Sequence, residues 1–183
     1  MGMPAPIYWT ADMVRALPDD GNRYEVVYGE LLVTPGPRPW HQFVVHRLSV
    51  AIELYLRAEP VGLVVTAPAD ISWGRMDVLV QPDVFVLRPE DARTLQWSRM
   101  HGLLLAIEVL SPSSQRSDRF SKRKRYQDAR VPLYWIVDAD EHVVEVWAPA
   151  DEFPSFERER LTWHPAGATA AFTLELAELF RPL

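Results

Sequence analysis

Cysteine is absent from this 183-residue chain, and so is any long apolar run. Without cysteine the chain forms no disulfide bonds and no thiolate metal site, which fits a reducing cytoplasm. No stretch approaches the roughly 20 apolar residues that a membrane-spanning helix requires. We therefore expect a cytoplasmic protein without a membrane partner.

Two further absences narrow the function. The chain has neither a glycine-rich phosphate loop nor a Gly-x-Ser-x-Gly nucleophile elbow, so a small-molecule α/β enzyme is a weak hypothesis. The formal net charge is −6, which does not draw the protein as a whole toward nucleic acid. Any site for a polyanion must therefore come from a local group of basic residues.

The most informative feature that is present is a short apolar segment, Leu103–Leu110, which contains one acid. Such a run predicts a strand buried on both faces. Its Glu108 must be paired, protonated or bound to a metal, because a lone buried carboxylate is costly. The chain then turns and enters a predicted helix, where residues four positions apart share one face. That face carries an acid, a cation and a phenol: Asp118, Lys122 and Tyr126.

The order of the predicted elements indicates the fold class. We predict a β-hairpin over residues 23–33, a helix over 41–57, and strands at 61–66, 69–73 and 78–87, the last broken at Gln81–Asp83. After the central strand and the basic helix come a strand pair over 133–147, resembling a hairpin at the sheet edge, a second pair over 156–174, and a helical turn at 175–180. This order predicts an α/β (α+β) protein with a mixed central β-sheet between helices, in one domain over residues 1–183.

Asp83 supplies a second acid, at the head of an apolar strand that follows Pro82. Taken alone, an acid after proline is more often a turn residue. If its strand lies beside that of Glu108, the two carboxylates can hold Mg²⁺ or Mn²⁺ and leave room for water and a phosphate. Lys122 is then placed to orient or deprotonate the water. Close carboxylates repel, so without metal one of them should titrate with a raised pKa.

Candidate supporting residues lie at the hairpin and at the start of the first long helix. His41 faces the buried side of its helix, where a hydrogen-bonded core histidine and a role at the site are about equally consistent with its position. Glu25 and Glu30 flank the hairpin turn. Two solvated carboxylates are one interpretation. An outer acid of the metal site is the other, and we assign it to Glu30.

A basic run surrounds Lys122. Residues 116–130 contain seven basic and two acidic side chains in an otherwise acidic chain. The run is either a solvated helix face or a surface that follows a phosphate backbone. On the second interpretation Arg116, Arg119 and Arg123 bind nucleic acid. Ser111 and Ser113 either donate hydrogen bonds to phosphate or shape the turn before the helix.

Six stretches in this order resemble the Uma-type endonuclease family of the PD-(D/E)XK, restriction-endonuclease-like superfamily. They span roughly residues 20–140 and comprise Arg23–Glu30, Pro35–His41, Gln81–Asp83, Glu108–Ser114, Asp118–Tyr126 and Val131–Asp138. One departure concerns the superfamily lysine two residues after the glutamate, a position that is Leu110 here. In the Uma-type family this lysine has moved to the helix, and Lys122 is the matching residue.

The resemblance implies a Mg²⁺- or Mn²⁺-dependent DNA endonuclease with a restriction-endonuclease-like core. It places Asp83 and Glu108 as metal ligands and Lys122 as the catalytic lysine. It places Glu30, His41, Ser111, Asp118 and Tyr126 around them. By the same resemblance we expect a homodimer. The alternative that Leu110 keeps open is a nuclease fold that binds nucleic acid or a protein partner without cutting.

Overall fold

The computed structural model describes residues 7–183 and is built around a mixed six-stranded sheet of order β3-β5-β6-β7-β8-β9. Its strands are β3 (Leu63–Thr66), β5 (Val84–Leu87), β6 (Leu103–Val109), β7 (Tyr134–Asp138), β8 (Val143–Trp147) and β9 (Ser155–Glu157). Neighbours are antiparallel except β6 and β7, which are parallel. The segment joining that parallel pair contains the basic helix, as a parallel crossover requires.

A second, three-stranded sheet contains the predicted N-terminal hairpin. Strands β1 (Arg23–Val27) and β2 (Glu30–Thr34) turn at Gly29, whose φ of 79° suits glycine. On its other side β1 pairs with β4 (Val78–Leu79), giving the order β2-β1-β4. Because β1 is the middle strand, its last three residues are fully covered.

Helices cover both faces of the main sheet. On one face α2 (Pro39–Ala58) lies with α6 (Leu176–Leu179) and the hairpin of β10 (Arg160–Trp163) and β11 (Phe172–Glu175). Apolar side chains at helical spacing in α2, such as Val44, Leu48 and Ile52, pack there on alternate residues of β5 and β6. The other face packs against the small sheet and the basic helix through residues including Phe85, Ala106 and Tyr126.

The basic helix is irregular. It runs through α4 (Gln115–Ser117), a π-helical turn (Asp118–Lys122) and α5 (Arg123–Asp128). Shorter helical elements elsewhere are α1 (Ala11–Arg15), capped by the Thr10 side chain, then α3 (Pro89–Ala92) and a 3₁₀ turn (Trp97–Arg99). Within residues 7–183 no helix combines the length and apolar composition needed to cross a membrane.

The predicted fold class, α/β with a mixed central sheet between helices, is confirmed. Three local predictions were wrong. Residues 69–73 make only one bridge, between Ile71 and Val80, rather than a strand. The β7–β8 hairpin is internal, because β9 pairs with β8 and takes the edge. Because residues 155–157 form β9 in the main sheet, the last hairpin begins at Arg160 and not at residue 156. The single domain over 1–183 stays a prediction, and its first six residues lie outside the described part.

Candidate active site

Asp83 and Glu108 lie on neighbouring strands. Asp83 immediately precedes β5 and Glu108 is near the end of β6, and these strands pair antiparallel with Val84 opposite Ile107. Side chains alternate between the faces of a sheet. Asp83 therefore shares a face with Phe85, and Glu108 with Ala106, which is the face covered by the small sheet and the basic helix. Both carboxyl groups are buried there.

Lys122 extends from the π-helical turn into this buried layer. Its Nζ lies 2.8 Å from Glu25 Oε2, 3.0 Å from Glu108 Oε1 and 3.3 Å from Asp118 Oδ1. The Tyr126 hydroxyl donates to the same Glu108 Oε1 at 2.9 Å. The predicted face of Asp118, Lys122 and Tyr126 thus converges around Glu108 even though a π-helical turn interrupts the α-helix. Only 1% of the Lys122 side chain is exposed.

Asp83 is held from three sides. Arg23 NH1 donates to Oδ1 at 2.7 Å, and the Val109 backbone N–H donates to Oδ2 at 2.8 Å. His41 Nε2 lies 3.1 Å from the same Oδ2. The predicted buried orientation of His41 therefore brings it into the site, where it contacts Asp83.

Glu25 is the acid that sequence reasoning underrated. It is buried on β1, with one oxygen on Lys122 and the other accepting from the Gln81 backbone N–H at 2.7 Å. Glu30, to which we assigned the outer acid, is exposed on β2 and is not brought into the cluster. Arg23 was also missed. The alternation of residues in β1 shows which side chains share a face. It does not show that β4 pairs with β1, which makes β1 the buried middle strand of the small sheet.

The carboxyl groups sit in opposed electrostatic environments. Burial raises the pKa of Glu108 well above its ordinary value, against the influence of Lys122, and the charges of Asp118 and Asp83 add to the rise. Burial likewise raises the pKa of Asp118. Burial also acts to raise the pKa of Asp83, but the contacts with His41 and Arg23 outweigh it and hold this pKa below its ordinary value. The sequence predicted a raised pKa through repulsion between the two carboxylates, whereas the largest cause at Glu108 is burial and the charge of Asp83 only adds to it.

Lys122 remains a cation in this setting. Burial lowers the pKa of its ammonium group, yet the nearby carboxylates outweigh burial and hold the pKa above its ordinary value. The buried cluster contains four carboxyl groups and the two cations Arg23 and Lys122: the acids are Glu25, Asp83, Glu108 and Asp118. With all of them ionised, two negative charges would lack a counterion.

Hard oxygen donors fit a divalent cation of the Mg²⁺ class, which would supply the two positive charges that full ionisation of the cluster requires. Among residues 7–183, the buried Glu108 Oε2 accepts no hydrogen bond, so one carboxylate oxygen is available. The same part of the chain holds no group of three or more His, Asp or Glu side chains arranged to hold a metal ion unaided. Two carboxylates completed by water and a phosphate remain consistent with the residues present.

A cleft of about 360 Å³ opens beside Asp83. Arg23, His41, Asp83 and Ser111 line it, together with the loop at residues 34–37. The Ser111 hydroxyl is 3.1 Å from the Ser113 and Ser114 hydroxyls, so it shapes the turn before the basic helix while bordering the cleft. Of the two proposed metal ligands, Asp83 lines this cleft, whereas the more deeply buried Glu108 does not.

Most basic side chains of residues 116–130 make ion pairs or cation–π contacts within the protein. Arg119 pairs with Glu145 at 2.6 Å and Asp138 at 3.2 Å. Arg123 lies over the Trp147 ring at 4.5 Å, a cation–π arrangement. Arg116 is exposed and lines a second cleft beside Ser113, between the hairpin and the basic helix. Of the three arginines proposed to bind nucleic acid, Arg116 is the one that faces solvent most openly.

Comparison with known proteins identifies relatives with the same architecture. The family model described as "Uma2: Putative restriction endonuclease" matches residues 11–177. A solved structure described as a putative nuclease belonging to DUF820 from Anabaena variabilis ATCC 29413 superimposes with a TM-score of 0.73 at 21% identity, covering 93% of this chain and 97% of that one. No curated protein matches. Because the family model spans most of the sequence, the chain belongs to the Uma2 family.

Proposed function

We propose that this member of the Uma2 family is a metal-dependent DNA endonuclease that hydrolyses phosphodiester bonds. Asp83 and Glu108 bind Mg²⁺ or Mn²⁺, and Lys122 is the catalytic lysine. Asp118, Tyr126, His41 and Ser111 support them. The observation that carries the proposal is the 3.0 Å contact from Lys122 Nζ to Glu108. A helix residue thereby contacts Glu108, whereas Leu110, just past the end of β6, carries no charge that could do so.

Each side chain has a defined task in this proposal. When bound, a divalent cation lowers the pKa of a coordinated water and neutralises phosphate charge. The raised pKa of Lys122 keeps its ammonium group protonated, so its task is to donate and orient rather than to accept a proton. Tyr126 fixes Glu108 by donating to Oε1, while His41 and the Val109 N–H orient Asp83.

Supercoiled plasmid DNA offers the direct test. We expect the protein to nick it in Mn²⁺ or Mg²⁺ and to leave it intact in EDTA. Only the metal-dependent product counts, since a contaminating metal-independent nuclease would act in both conditions. DNA binding without any turnover across a range of metals would contradict the enzyme and favour the alternative.

That alternative is a nuclease fold that binds nucleic acid or a protein partner without cutting. Two observations favour it: Leu110 at the superfamily lysine position, and a Lys122 ammonium already surrounded by three carboxylates. The endonuclease remains the better explanation, because a buried Glu108 oxygen without a hydrogen-bond donor is costly unless a ligand uses it. A homodimer acting on both DNA strands belongs to the same proposal, and its mass in solution tests it.

Arg116→Ala is expected to weaken DNA binding and to reduce the slope of log affinity against log salt by about 0.9, the value for one phosphate contact. Lys124→Ala is the matched control, because Lys124 is an exposed cation of the same helix that pairs with Asp128. Arg119→Ala should lower the melting temperature instead, by breaking two ion pairs. If the salt slope changes for Arg119→Ala or Lys124→Ala but not for Arg116→Ala, the phosphate contact is made by a residue other than Arg116.

A further inference from the structure

Arg23 lies between the proposed metal ligand Asp83 and the open cleft. It begins β1, lines the 360 Å³ cleft and donates through NH1 to both Asp83 Oδ1 and the Gln81 carbonyl oxygen, at 2.7 and 3.2 Å. Within the described residues 7–183 its side-chain hydrogen bonds run through NH1 alone. With 21% of its side chain exposed, the guanidinium has one end on Asp83 and borders open space.

Asp83 and Glu108 differ in how free they are to take a cation. Glu108 keeps a buried oxygen to which no group in the described part of the chain donates. Both oxygens of Asp83 are engaged, Oδ1 by the charged Arg23 and Oδ2 by His41 and the Val109 N–H. A cation that approaches Asp83 must therefore compete with Arg23 for Oδ1.

We infer that Arg23 is an exchangeable counterion that neutralises Asp83 in the resting site and moves to the substrate phosphate when a divalent cation takes its place. The inference rests on the proposed function and adds a residue and an order of events to it. The two donors on Oδ2 hold the carboxylate in orientation during the exchange. The released guanidinium carries the fork of N–H donors that matches phosphate oxygens.

A purely structural ion pair predicts a different response to mutation. If Arg23 only stabilised Asp83, removing it would still tighten cation binding, because a like charge is lost, but it would leave the DNA affinity unchanged. An exchangeable counterion changes both affinities. Its removal leaves Asp83 with an unpaired negative charge that favours the cation, and DNA binding weakens because the phosphate loses its guanidinium.

The test uses Arg23→Gln, which keeps a hydrogen-bond donor without the charge, and Arg23→Lys, which keeps the charge without the planar fork. Mn²⁺ alone is titrated calorimetrically, and a labelled DNA oligonucleotide is titrated with Ca²⁺ in place of Mn²⁺. For Arg23→Gln we expect Mn²⁺ binding about tenfold tighter, since a like charge near the site is removed, and DNA binding about tenfold weaker. Arg75→Ala is the control, because Arg75 also pairs with a carboxylate, that of Asp77, and is expected to change neither affinity.

Opposite changes in the two affinities support the inference, and Arg23→Lys should then bind Mn²⁺ like wild type but bind DNA more weakly. An unchanged or weaker Mn²⁺ affinity, or an unchanged DNA affinity, overturns it. Melting in EDTA verifies that the variants are folded. If wild type binds Mn²⁺ and Glu108→Gln does not, the proposed metal site stands even where Arg23 fails. If wild type binds no Mn²⁺ and cuts no DNA, both the proposed endonuclease function and the inference about Arg23 are wrong.

Discussion

Replacing Glu108 by glutamine is expected to abolish metal-dependent nicking of plasmid DNA and the rise in melting temperature on adding Mn²⁺, while leaving the metal-free protein as stable as wild type. Burial holds the pKa of Glu108 well above its ordinary value, so a neutral side chain suits this position without metal. Glutamine keeps an oxygen that accepts from Tyr126. A ligand bound only by the folded state raises stability, and the variant loses that ligand.

The same pKa gives the substitution a pH signature. Because the pKa of Glu108 is raised in the folded state, the folded protein binds more protons than the unfolded chain between the two pKa values. The Glu108 contribution to stability is therefore fully present below the unfolded pKa and is lost as pH rises through the folded one. Melting curves in EDTA should show this loss for wild type, and Glu108→Gln should flatten it.

Asp83→Asn separates the two ligands. It should also abolish nicking and the Mn²⁺ shift, but the metal-free protein should lose roughly 1.5–3 kcal/mol, the range for a hydrogen bond to a charged group. Asp83 is ionised in the fold and balances Arg23, which an amide cannot do. Glu30→Gln is the matched control, because Glu30 is exposed and outside the cluster. A Mn²⁺ shift that persists in either ligand variant, or is lost in Glu30→Gln, would contradict the assignment.

Local patterns were sufficient to predict how Glu108, Lys122 and Tyr126 come together. The apolar run around Glu108 has a strand's length, and the four-residue spacing from Asp118 to Tyr126 places three polar groups on one helix face. These predictions hold because each depends on residues close in sequence. Even the π-helical turn leaves Asp118 within 3.3 Å of Lys122.

Long-range pairing determined what sequence reasoning missed. Glu25 is buried because β4, some fifty residues later, pairs with β1 and places the hairpin over the main sheet. Without that pairing Glu25 and Glu30 are equivalent carboxylates beside a turn. In the same way Arg119 looks like a free surface cation until β7 and β8 bring Asp138 and Glu145 beside it. A basic run shows where cations lie in the sequence, but not which of them the protein neutralises itself.

Lys122→Met is expected to have the largest effect on stability of any substitution considered. It removes the ammonium group that faces Glu25, Glu108 and Asp118 and leaves buried carboxyl groups without a counterion. Removing one partner of a buried ion pair typically costs roughly 3–5 kcal/mol. For a chain of this length that lowers the melting temperature by roughly 10 °C. Methionine fills much of the same unbranched volume, so the loss reports mainly the missing charge.

The double variant Lys122→Met, Glu108→Gln isolates that charge effect. If the Lys122–Glu108 contact is the source of the loss, the double variant should be less destabilised than the sum of the single variants, by about 1–3 kcal/mol of coupling. Lys124→Ala removes an exposed cation two residues away and should melt within about 4 °C of wild type, because an exposed pair contributes at most about 1 kcal/mol.

Nicking by these variants is to be compared at a temperature where all are folded, so that lost activity is not lost structure. Lys122→Met should be inactive there and Lys124→Ala fully active. A Lys122→Met protein that melts with wild type would contradict the buried cluster. One that is folded and still nicks DNA in Mn²⁺ would remove Lys122 from the catalytic residues and leave Asp83 and Glu108 as the site.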